Sequence, residues 1–153
     1  MSVPALALPT ARPAPRDSTW LSAETDDIWR RYFPDVPRVN VVDVAFRRAW
    51  KRRLGVISLS DDQRTTRIGI NSLLGLPQAP YCLTLITVAH ELVHYAHGFG
   101  SPLPRRYQHP HRGGIVPREL KERGLAAELD EYSEWIHHNW WSFYARQQRR
   151  KRR

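Results

Sequence analysis

The stretch His90-Glu91-Leu92-Val93-His94 restricts what this chain can fold into more than any other feature. One helical turn puts His90 and His94 on the same face, where both imidazoles can reach one ion, and leaves Glu91 pointing beside it. The surrounding residues agree with a helix. After Pro80, residues 81–97 carry Leu85, Val88, Ala89, Leu92, Val93 and Ala96 at spacings that wrap a buried helix around the motif, and Gly98 supplies a stop. The fold has to be built around this helix.

At 153 residues the chain can bury one core and has no room for two ordinary domains. A hydrophobic content of 41%, six tryptophans and both signs of charge place it among soluble globular proteins. No apolar run reaches transmembrane length. The opening residues, Met1 to Pro9, lack a basic leader and are broken by prolines, so a cytoplasmic protein is expected. The single cysteine, Cys82, excludes an internal disulfide and a cysteine-based zinc ribbon, and reads as a small apolar core residue. Metal chemistry therefore falls to His, Asp and Glu.

Residues 1–17 read as a disordered Pro/Ala-rich arm, 18–145 as one domain and 146–153 as a basic tail. The tail holds much of the net charge of +9; it can neutralise nucleic-acid phosphates or stand as a solvated helix end. Ser18 is a plausible cap for a helix carrying Trp20, Leu21, Ile28, Trp29 and Phe33, which stops before Pro34. Three β-rich runs follow: Val39, Val41, Val42, Val44 and Phe46; Leu54, Val56, Ile57 and Leu59; Ile68 and Ile70. The turn composition of Asp61-Asp62-Gln63-Arg64 and the closeness of the runs favour an antiparallel meander or hairpins over crossover units. Between the first two runs, Arg47, Arg48, Trp50, Lys51, Arg52 and Arg53 suit an exposed strand edge or a nucleic-acid backbone.

Residues 99–114 form a proline-bearing loop with His109 and His111, and Pro117 can open a short helix that ends at Gly124. From Leu125, the series Leu129, Tyr132, Ile136, Trp140, Phe143 and Tyr144 predicts a long amphipathic C-terminal helix. Trp135, Trp140 and Trp141 on it are expected to pack rather than stack on bases. His137 and His138 point about 100 degrees apart and cannot easily grip one ion. The expected fold class is α+β: a small antiparallel sheet of about three strands packed with the metal helix and the long C-terminal helix.

A hydrolytic zinc needs three protein ligands and an open position. His97 lies about 10 Å along the axis from His90 and reads as a packing group. The metzincin pattern requires glycine at 97 and histidine at 100, whereas the chain has His97 and Gly100. The third ligand is thus His109 or His111, folded back from the loop with His111 preferred, or an acid of the long helix, Glu128 before Glu131. In a closed structural site Glu91 has no needed role. In a zinc peptidase it takes a proton from water and passes it to the leaving amine. Tyr107, Tyr132 and His137 are candidates for stabilising the oxyanion. Histidine sites also accept Co, Ni and Cu.

A basic strand, Leu54-Gly55, Arg67-Ile68-Gly69-Ile70-Asn71, Leu74, a proline-bearing spacer and Ala89-His90-Glu91-Leu92-Val93-His94, in that order, resemble the SprT-like metallopeptidase domain of Spartan-type proteases over residues 39–124. The resemblance implies a zincin-like fold, His90 and His94 as zinc ligands, Glu91 as catalytic base, His111 as loop ligand and a protein or peptide substrate. It also suggests DNA-associated substrates. With no cysteine ribbon, any grip on DNA falls to Arg47, Arg48, Lys51, Arg52, Arg53 and the tail. The chain departs from the family pattern where Arg112, in place of glycine, follows His111. Two other readings remain. An ImmA/IrrE-like repressor-cleaving peptidase would use Glu128 as ligand, and a nucleic-acid-binding protein with a structural zinc would function without Glu91.

Overall fold

The computed structural model describes residues 15–153; most of the arm expected over residues 1–17 lies outside the described residues. Helix α1 spans Ser18–Tyr32. Asp17, rather than Ser18, caps it: the carboxylate accepts the Trp20 N–H at 2.9 Å, satisfying a donor the first turn leaves free. Ser18 is instead the first helical residue, and its hydroxyl accepts from the Phe46 N–H at 3.3 Å. Leu21, Ile28 and Trp29 face inward, and Phe33 closes the helix before Pro34.

Strands β1 (Val41–Phe46), β2 (Gly55–Leu59) and β3 (Thr65–Ile70) form one sheet in the order β1-β3-β2. β2 and β3 are an antiparallel hairpin closed by residues 61–64, where Gln63 adopts φ 60. β1, however, pairs with β3 in parallel, from Val41 opposite Thr65 to Phe46 opposite Ile70. The sheet is therefore mixed, which corrects the all-antiparallel expectation. The chain passes from β1 to β2 across one end of the sheet and leaves a slot that β3 then fills. No crossover helix is needed, because β1 and β2 still run in opposite directions. Buried Asn71, just after β3, fixes this connection by donating to the carbonyls of Trp50 (2.8 Å) and Arg53 (2.9 Å).

Helix α2, Tyr81–Ala96, is buried on nearly every side and packs against α1, β2, β3 and two later helices. A helix apolar all round belongs at the centre of a domain. Its exit depends on Gly98: φ is 78, and a Cβ would lie 2.5 Å from the Leu103 and Pro104 carbonyl oxygens. Helix α3 spans Ile115–Glu122. It starts two residues before Pro117, which sits in the first turn where its missing N–H costs nothing. Gly124, at φ 89, ends it.

Helix α4, Ala126–Lys151, continues through the basic residues. Trp140 and Phe143 are buried and Trp135 packs against the core, but Trp141 is 53% exposed, against the expectation for it. Cys82 is buried in the core as expected. Among the described residues, no helix is long and apolar enough to cross a membrane.

Candidate metal centre

α2 places His90 and His94 one turn apart, and the loop before α3 brings His111 over them. The Nε2 atoms of His90 and His94 are 3.1 Å apart, and that of His111 lies 3.2 Å from the first and 2.9 Å from the second. Three imidazole nitrogens at tetrahedral Zn–N distances sit about 3.3 Å from one another, so the donors are spaced for one small cation. Among the described residues this is the only group of three metal-ligating side chains brought together, and it can hold a metal ion.

The electrostatics suit ligands. Burial, followed by the charge on His111, lowers the pKa of His90 to about 4. Burial, then His90, His111 and His97, lower that of His94 to about 3. Both rings are thus neutral near pH 7, with lone pairs free. His94 Nδ1 is buried without a partner among the described residues. His111 is exposed, so the cluster opens toward solvent.

Of the other candidates, His109 is exposed on the same loop and outside the cluster. Glu128 is half-buried with Oε2 unpartnered among the described residues, Glu131 is exposed, and neither joins the three histidines. His97 is fully buried and turned away, its Nε2 2.7 Å from Glu119 Oε1. Glu119 in turn accepts from Arg123 at 3.2 Å, and Arg123 pairs with Asp35 at 2.7 Å. This chain of polar contacts ties the end of α2 to α3 and to the α1–β1 loop.

Glu91, 5% exposed, lines the same cleft as His90 and His111. Burial pushes its pKa up to about 7, against a smaller downward pull from Arg53. Over it lies Gly55, the first residue of β2, where a Cβ would sit 2.8 Å from Glu91 Oε1 and 2.8 Å from Thr87 Cγ2. β2 is an edge strand. Leu54 accepts from the Asn71 N–H and the Ser60 N–H donates to Thr65, so residues of that phase bond to β3. By the alternation of an antiparallel ladder, the N–H and C=O groups of Gly55, Ile57 and Leu59 point to the free side. The sequence analysis gave Gly55 no role beside Glu91, although a glycine in a strand marks a close approach.

The cleft has a volume of about 840 Å³ and runs between α2, α3 and α4. Tyr132 lines it, and burial, then Cys82 and Glu91, raise its pKa to about 12. Tyr107 instead packs edge-on against His97, and His137 is exposed on α4; neither lines the cleft. Lys51, Arg52 and Arg53 stand at its mouth, with Lys51 Nζ 5.9 Å and Arg52 Cζ 6.0 Å from the Trp141 ring centre. Arg47 and Arg48 are exposed outside it, Arg47 3.8 Å from Asp43. Arg146, Arg149 and Arg150 share one side of α4 and, with Arg153 beyond its end, line a separate groove with Gln78.

No protein-family model, curated protein or solved structure matches the chain. Function is therefore read from the site itself.

Proposed function

We propose that this chain is a metal-dependent endopeptidase of the SprT-like kind. The observation that carries the reading is the convergence of the His90, His94 and His111 Nε2 atoms beside the buried carboxylate of Glu91, in a cleft open to solvent. A purely structural site encloses its metal with four protein ligands, whereas three ligands and an open side are the catalytic arrangement. Zinc held there supplies Lewis acidity, making water acidic near neutral pH and polarising the scissile carbonyl.

The protein's own groups supply the rest. Glu91 accepts the proton of the attacking water and returns it to the amine nitrogen as the C–N bond breaks. The free backbone groups of Gly55 and Ile57 can pair with an extended substrate and hold its peptide bond across the cleft. Such pairing selects unfolded or extended chains. A repressor-cleaving enzyme with Glu128 as ligand is the less favoured reading, because Glu128 lies outside the cluster.

A nucleic-acid partner belongs to the same proposal. Arg47, Arg48, Lys51, Arg52 and Arg53 near the cleft and the arginine face at the end of α4 suit a phosphate backbone, which would bring DNA-associated proteins to the site. Cleavage of an unfolded protein, with and without single-stranded DNA, tests both parts. Glu91→Gln is expected to lower the rate by about 10²- to 10⁴-fold with metal still bound. Added DNA is expected to accelerate the wild type, and less so as salt rises.

A further inference from the structure

The cleft extends well beyond the histidines, and its deeper part is apolar. Ile86 lies one turn before His90 on α2, so it shares that residue's face about 6 Å along the axis. Val116 of α3 and Leu129, Tyr132, Ile136 and Trp140 of α4 supply the other walls. The four α4 residues follow spacings of three and four, one face of the helix turned toward the site. Trp140 is held in place by its indole N–H, which donates to the Lys51 carbonyl at 2.8 Å. Among the described residues Glu91 is the only acid on the lining, and the cations Lys51, Arg52 and Arg53 stay at the mouth.

From these contacts we infer that the deep part of the cleft is a side-chain subsite for a large aliphatic or aromatic residue next to the scissile bond. The inference rests on the peptidase reading and narrows its substrate class. A peptide bond placed at Glu91 and His90 has its adjacent side chain within reach of Ile86 and the α4 wall. Small or charged residues leave the wall uncovered or desolvate their charge there, so they bind less well. A recognition pocket of this kind discriminates one methylene by about 10- to 200-fold at most, so leucine against alanine should differ by at least tenfold.

Two readouts test this. In the first, metal-loaded protein digests an unfolded protein and the cut sites are mapped by mass spectrometry. In the second, Glu91→Gln protein is titrated with two uncleaved peptides that differ only in Leu or Ala at the mapped position, following tryptophan fluorescence. The inference predicts enrichment of Leu, Ile, Met, Phe, Tyr or Trp at one fixed position and binding of the Leu peptide at least tenfold tighter. Leu129→Trp, which fills the pocket, should reverse the preference toward Ala. Ile136→Ala, which enlarges it, should move it toward Phe and Trp; this second variant serves if the first does not fold. Cleavage that depends on Glu91 but shows no enrichment, with equal binding of both peptides, overturns the subsite and leaves the peptidase standing. Absence of Glu91-dependent cleavage overturns the peptidase reading and the subsite with it.

Discussion

A methyl group at position 55 would lie 2.8 Å from Glu91 Oε1 and as close to Thr87, both on the buried central helix. Gly55→Ala must push β2 away from α2 or displace the carboxylate. It is expected to lower kcat by at least about tenfold while zinc stoichiometry is unchanged, since misplacing a catalytic group is costly even when its chemistry is intact. Glu91 also makes metal binding pH-dependent. Without metal its pKa is about 7, so at pH 6 it is largely protonated, whereas His90 and His94, at about 4 and 3, are already neutral. A cation beside it favours the carboxylate. Zinc binding at pH 6 should therefore release close to one more proton from the wild type than from Glu91→Gln, and the excess should vanish above about pH 8. Calorimetry in buffers of different ionisation enthalpy measures the difference. His90, Glu91 and His94 were legible in the sequence because one helical turn fixes their relation. The position of Gly55 over Glu91 was not, because that contact exists only once strand and helix are packed.

At the level of elements, the helices were readable from apolar periodicity, and the hairpin from its turn residues. The parallel β1–β3 pair was not. Reasoning from closeness assumes that neighbouring strands in sequence pair, while here Asn71 pins the β1–β2 connection across the end of β3. His111 was preferred among the loop candidates and does join the cluster, but that preference leaned on the family resemblance, since nothing local to a loop says where it folds back. His97 and Glu119 join α2 to α3, the helix that follows His111, through a buried 2.7 Å contact. Glu119→Ala would leave the His97 imidazole without its partner and free Arg123 from one of its two acids. The expected cost is about 1–3 kcal/mol of stability, seen in denaturant unfolding, together with weaker zinc binding as the His111 loop loosens.

For the whole molecule, a metal held by His90, His94 and His111 would join the central helix to the loop before α3, so binding and folding would be linked. Zinc at a hundredfold its Kd stabilises the folded state by about 2.7 kcal/mol. For a domain of this size that corresponds to a rise in Tm of about 5–10 °C, reversed by chelator and absent in His94→Ala. The α+β class followed from the helical and strand patterns. The cleft did not, because its walls come from α2, α3 and α4 and only tertiary packing brings them together.

Hydrolysis of peptide bonds is the proposed work of Glu91 and the three histidines. It is tested most directly by incubating zinc-loaded wild type and Glu91→Gln, matched for metal content, with an unfolded protein in ¹⁸O-enriched water. Wild-type fragments should carry solvent oxygen at their new carboxyl ends, and cleavage by the variant should be reduced at least about a hundredfold. Equal cleavage by both proteins, or none by metal-loaded wild type, would contradict it.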